Sequence, residues 1–99
     1  MTYQMMDPPH VGEFLADELQ ALGVTVVDAA AALGVARPGL TMLLKGRRDL
    51  TPEMAVKFEA ATGIDAELLV RMQLAFDMAE VRKRIDQVAG GVRRLALVA

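Results

Sequence analysis

The 99-residue sequence contains no cysteine and no tryptophan, and only 4% of it is aromatic. Without thiols, disulfides and thiolate metal sites are excluded, which suits a reducing compartment. With so few rings, a core has to come from alanine, leucine, valine and the seven methionines, residues that favour helices over sheets. Histidine is nearly absent too: a lone His10 at a helix start is expected to be a cap or surface residue rather than a metal ligand. The longest apolar run, Val24 to Ala36, is broken by Asp28 and falls far below the roughly 20 residues of a membrane span. The opening MTYQMMDPPH has neither a basic region nor an apolar core, so no secretory leader is expected and the expected location is cytoplasmic. No nucleophile, base and orienter stand at suggestive spacing, so neither enzymatic activity nor a metal or cofactor is expected.

What is present centres on Val26 to Lys45, VVDAAAALGVARPGLTMLLK. An alanine-rich segment ends at Leu33, and Gly34 follows where a helix C-terminus needs a residue that takes positive φ. Ala30, four residues earlier, is small enough for a second helix to cross closely. Leu40 and Leu43 then recur at helical spacing as that helix's inward face. A small residue, a glycine corner and two apolar anchors are the pattern of a helix-turn-helix. The outward face of the second helix is Arg37, Pro38, Thr41, Met42 and Lys45, followed by Gly46, Arg47 and Arg48.

The formal charge of -2 argues mildly against a nucleic-acid partner, yet it averages two opposite regions. From His10 to Gly34 the charged residues are Glu13, Asp17, Glu18 and Asp28; from Val35 to Arg48 they are Arg37, Lys45, Arg47 and Arg48. The basic run coincides with the outward face of the proposed reading helix, where a phosphate backbone would lie.

The expected fold is all-α: one five-helix domain with a long fifth helix. Residues 1–9, with Pro8 and Pro9, form an extended lead-in. The domain occupies residues 10–89, and 90–99 form a tail. The first helix runs from about Pro9 or His10 to Leu22 with an apolar stripe of Val11, Phe14, Leu15, Leu19 and Leu22. Thr25 caps the second helix, with Asp28 placed for a capping box. Pro38 fits the first turn of the third, where its missing N–H had no partner; Gly39 beside it weakens the helix or permits a close approach to another backbone. Thr51 and Pro52 open a fourth helix, whose inward face is Met54, Ala55, Phe58 and Ala61. Asp65 caps the fifth, and Leu68, Leu69, Met72, Ala75 and Phe76 complete the core. Beyond it, Leu74, Met78, Val81, Ile85 and Val88 continue as a heptad seam, which predicts a helix to Ala89 about 37 Å long. Its free apolar edge requires a partner, and a second copy is the simplest, making these five residues the expected homodimer interface. Gly90 and Gly91 mark a hinge or the helix end.

Taken together, GEFLADEL, ALGV, LLKGRRDLTPEMA and LVRMQLAFD make the stretch from His10 to Asp77 resemble the HigA (VapI) antitoxins of the phage-repressor-like, Xre-type helix-turn-helix class. That resemblance implies an antitoxin of a type II toxin–antitoxin module. Such proteins block a toxin encoded beside them, typically a RelE-like mRNA endonuclease (HigB type), and as dimers bind a palindromic operator in their own promoter. Departures lie on the DNA-facing side: Thr25 and Val26 stand where the family often has Ser-Gln, and Ala36, Pro38, Gly39 and Met42 replace commoner polar residues. Val11 also replaces a proline in the family's opening. Arg37 is the candidate for a guanine, Thr41 and Met42 for a thymine methyl, and Lys45, Arg47 and Arg48 for phosphates, with Thr25 at the second helix's start. The acidic first helix, through Glu13, Asp17 and Glu18, and the long C-terminal helix are the candidate toxin-binding surfaces, a basic partner favouring the former. A stand-alone repressor of the same fold, and a protein-binding helical module without DNA contact, remain the alternatives.

Overall fold

The computed structural model describes residues 7–96, and within them the chain is helical throughout its regular structure. The elements are α1 (Val11–Ala21), α2 (Val26–Leu33), α3 (Arg37–Leu44), α4 (Pro52–Thr62), α5 (Ala66–Arg82) and α6 (Ile85–Ala89). Side-chain oxygens close three of the helix starts as expected from sequence. Thr25 Oγ1 accepts from Asp28 N at 3.1 Å, Thr51 Oγ1 from Met54 N at 3.2 Å, and Asp65 Oδ2 from Leu68 N at 3.1 Å. Each satisfies a donor that has no carbonyl within its own helix. His10 caps α1 with its ring: Nδ1 accepts from Gly12 N at 2.9 Å. The ring is not a surface group, because it is buried beneath the edge of Phe76 with centroids 4.9 Å apart.

The core draws on α1 to α5: Val11, Leu15 and Leu19 from α1, Ala29, Ala30 and Leu33 from α2, Leu40 and Leu43 from α3, Ala55 and Phe58 from α4, and Leu69 from α5, with Leu50 ahead of α4. Gly34 takes φ 69°, ψ 35°, and its N–H reaches back to Ala31, so the chain turns by 114° between α2 and α3. A Cβ there would be strained by the left-handed backbone. Gly12 serves packing instead. A side chain on it would collide with the carbonyl of Leu43, so α1 and α3 meet backbone to backbone where the reading helix ends. The sequence shows Gly12 only as the first residue of GEFLADEL, and nothing in its neighbourhood announces a crossing helix.

Four expectations about the inward faces need correction. Leu22 is 60% exposed because it lies beyond the last turn of α1. Ala61 is exposed near the end of α4, and Leu68 and Ala75 point away from the face of α5 that carries Leu69 to the core.

The long fifth helix is also shorter than expected. It ends at Arg82, Arg84 leaves the helical region at φ -123°, ψ 37°, and α6 is a separate segment of five residues. The break falls past the packed domain, where only local propensity sustains a helix and short helices are marginal. Lys83 Nζ is engaged on two sides, by Asp7 Oδ2 at 2.9 Å and Glu80 Oε2 at 2.8 Å. These partners hold the lysine's pKa above its ordinary value, the Glu80 hydrogen bond most. Among the described residues of the lead-in and tail, 7–9 and 92–96 carry no regular structure; residues 1–6 and 97–99 lie outside the description. No helix among the described residues is long and apolar enough to cross a membrane.

Candidate nucleic-acid interface

The second helix of the pair is anchored from behind. Leu40 is 0% and Leu43 1% exposed, so the rotation of α3 is fixed and its opposite face must point outward. That face gathers Arg37, Pro38, Thr41, Met42, Lys45 and Arg47 around one shallow open groove. Thr41 is half-buried and the other five are exposed. The N-cap of α3 is Ala36, which offers no side-chain acceptor, so the first-turn N–H groups beside Arg37 remain uncapped by any side chain. Arg48 is also exposed; it does not line the groove, and its guanidinium lies beside α3 at Gly39. Thr25 is exposed at the start of α2, outside the groove, and its hydroxyl oxygen is already accepting from Asp28 N. Its O–H remains able to donate to an oxygen acceptor.

The loop carrying the two arginines is fixed by contacts that sequence reasoning missed. After α3 the chain reverses at Gly46, with Arg47 N donating to Met42 O at 2.8 Å. Farther on, Gln73 of α5, only 5% exposed, accepts from Leu50 N at 2.8 Å through Oε1. Its Nε2 donates to Asp49 at 3.2 Å and to Asp77 at 2.9 Å. His10 Nε2 lies 3.5 Å from the same Asp49 oxygen. One buried amide thus ties the loop to α5 and engages the Asp49 carboxylate, while neither Arg47 nor Arg48 has an ion pair among the described residues. The available signal was an amide four residues after Leu69 on an otherwise apolar stripe, since an amide on an inward stripe needs partners.

The acidic residues of α1 do not all line one cleft. Glu13 and Asp17 share a cleft with His10, Ala16, Leu44, Lys45 and Gly46, which sets them directly beside the basic ridge. Glu18 is half-buried and lies outside that cleft. On α5 and α6, Leu74 is 57%, Met78 41%, Ile85 47% and Val88 46% exposed, with Val81 half-buried. By helical spacing this stripe continues back to Val70 and Glu67, which, with Pro52, Val56, Ala66 and Arg71, line an open apolar groove between α4 and α5.

Comparison with known proteins agrees with this geometry. The sequence profile described as "Helix-turn-helix" matches residues 15–69, the stretch from the middle of α1 into α5. The chain is 34% identical to virulence-associated protein A' of Dichelobacter nodosus over 93 residues, covering 93% of this chain and 78% of that protein. It is 36% identical to antitoxin HigA-1 of Vibrio cholerae serotype O1 over 89 residues, covering 89% and 84% respectively. Among solved structures, antitoxin GraA in complex with its operator superposes with a TM-score of 0.83 at 29% identity, over 98% of this chain and all of that one. The 114° corner at Gly34, the buried Leu40 and Leu43 and the basic outward ridge are therefore the features of a family member: the chain belongs to the helix-turn-helix family, in the lineage that includes the HigA antitoxins.

Proposed function

We propose that this protein is the antitoxin of a type II toxin–antitoxin module, a homodimer that represses its own operon by binding a palindromic operator and neutralises a RelE-like mRNA endonuclease of HigB type. One observation carries the reading: an exposed ridge of Arg37, Thr41, Met42, Lys45 and Arg47 on a helix held rigid from behind by two fully buried leucines. An α-helix of this width enters the major groove, where an arginine can pair bidentately with guanine O6 and N7. Arg37 takes that part, Thr41 and Met42 present methyl groups to thymine, and Lys45, Arg47 and Arg48 meet phosphates, with the Thr25 hydroxyl at the groove's edge. Support for the operator comes from GraA, a relative at 29% identity whose structure was solved with its operator.

The second copy docks along Leu74, Met78, Val81, Ile85 and Val88, apolar side chains that the domain itself does not cover. The toxin engages the acidic side of α1 through Glu13, Asp17 and Glu18, which complements a basic partner. Because Glu13 and Asp17 adjoin Lys45, a toxin seated there contacts the margin of the reading helix, so toxin and operator sense each other.

The test has two arms. Co-expression with the adjacent reading frame should yield a stable complex and relieve growth arrest caused by that partner alone. Gel shift with the DNA upstream of its own gene should show salt-sensitive retardation, with a slope of log affinity against log salt of about -2.7 per protomer for the three phosphate contacts of Lys45, Arg47 and Arg48. Retardation without any partner would favour the stand-alone repressor; a partner without retardation at low salt would favour the module that lacks DNA contact.

A further inference from the structure

Gly39 stands in the first turn of the reading helix, next to Pro38, where its low helix propensity weakens a helix of only eight residues. No backbone requirement explains it, because Gly39 is not among the glycines with positive φ. What the missing side chain provides is space. A Cβ built on Gly39 would lie 2.6 Å from Arg48 Nη1 and 3.7 Å from Arg48 Cζ, so the guanidinium of Arg48 lies directly against the bare helix backbone. Sequence reasoning had allowed for another backbone approaching there; the group that approaches is an arginine side chain.

We propose that Gly39 is a positioning residue for nucleic-acid binding: the gap it leaves is the berth that holds the Arg48 guanidinium alongside α3, in register with the ridge of Arg37, Lys45 and Arg47. This rests on the operator-binding reading above. The reversal at Gly46 carries Arg48 back along α3, and the Gln73 link to Asp49 and Leu50 fixes the backbone from which it reaches. Asp49 is engaged by Gln73, and Arg48 has no ion pair among the described residues. A long unpaired cation ordinarily sweeps a wide volume, and confining it before the encounter lowers the entropy lost on contact with a phosphate. On α3 Gly39 lies one step around from Pro38 and Met42, so the berth borders the groove-facing surface. Since the overlapping atom is the end of a flexible side chain, an alanine displaces the arginine rather than the helix.

The experiment measures binding of the full chain to two labelled duplexes, the DNA immediately upstream of its own reading frame and a scrambled sequence, by fluorescence anisotropy. Arg48→Ala should weaken binding about threefold to tenfold on both duplexes and reduce the salt slope by about 0.9 per protomer, as for one lost phosphate contact. Gly39→Ala should weaken both to a similar extent while raising the melting temperature by roughly 2 to 6 °C, because helix propensity improves. Introduced into the Arg48→Ala background, Gly39→Ala should cost less than a further twofold. An undiminished cost in that background would assign Gly39 a direct contact and overturn the proposal, as would full affinity of Gly39→Ala alone. If the unaltered chain binds neither duplex, the operator reading fails and this role fails with it.

Discussion

The reading helix α3 and the distal half of α5 with α6 both present large side chains to solvent, but they do so over opposite foundations. Beneath Arg37, Thr41 and Lys45 lie Leu40 and Leu43, buried against α1 and α2, so the outward pose is enforced by the core. Beneath Leu74, Met78, Ile85 and Val88 there is little, and the segment breaks between Arg82 and Ile85. A charged ridge on a packed helix is a surface complete in itself; an exposed apolar stripe is the kind of surface that a partner covers. The first owes its shape to the protomer's own core, which the second lacks.

That contrast can be broken most severely at its foundation. Leu40→Ala should destabilise the protomer by about 2–5 kcal/mol in urea unfolding, the usual cost of emptying a fully buried leucine site. If it costs less than about 1 kcal/mol, the ridge is not fixed by the core. Next in size, Gln73→Leu should remove the acceptor of Leu50 N and cost about 1–3 kcal/mol while loosening the loop of Arg47 and Arg48. Faster hydrogen exchange at Arg47 to Leu50 checks it. In the opposite region, Met78→Asp should leave the stability of the isolated protomer within about 0.5 kcal/mol but weaken self-association at least about tenfold in sedimentation equilibrium. Unchanged association would move the dimer contact elsewhere, the groove of Val56 and Val70 being the next place to probe.

The smallest effect is expected at Lys83, whose links to Asp7 and Glu80 raise its pKa. A raised lysine pKa stabilises the fold below the unfolded value of 10.5 and loses that contribution as pH climbs through the folded value. The junction of α5 and α6 should therefore fray as the solution turns alkaline, seen as faster exchange at Val81 to Arg84, and Lys83→Ala should produce the same fraying at neutral pH without altering the core.

Local chemistry made much of this legible. Thr25, Thr51 and Asp65 cap helices because a short side-chain oxygen before an apolar-periodic run satisfies an N–H that the helix cannot, and that competition is decided within four residues. Gly34 turned the chain for an equally local reason. The position of Pro38 in the first turn of α3 followed from its missing donor. By contrast, the heptad rhythm past Leu74 suggested one continuous helix to Ala89; periodicity records which side is apolar and says nothing of whether a helix is supported along its length. Leu22 and Ala61 fitted their stripes and still face water, because each lies where its helix runs out of neighbours.

The residues of the proposed interface divide in the same way. Arg37, Thr41, Met42, Lys45 and Arg47 were recognisable since Leu40 and Leu43 define one side of a helix and geometry supplies the other. Gln73, Gly12 and the berth at Gly39 were hidden, each having meaning only through an atom distant in the chain: Leu50 N, the Leu43 carbonyl, the Arg48 guanidinium. The linear order of residues determined where helices begin, which way they turn and what charge the reading face bears, all of which are settled by neighbours within a turn or two. Tertiary structure alone decided which acids adjoin Lys45, where α5 gives way and which arginine is held against α3, because those outcomes depend on packing between segments tens of residues apart.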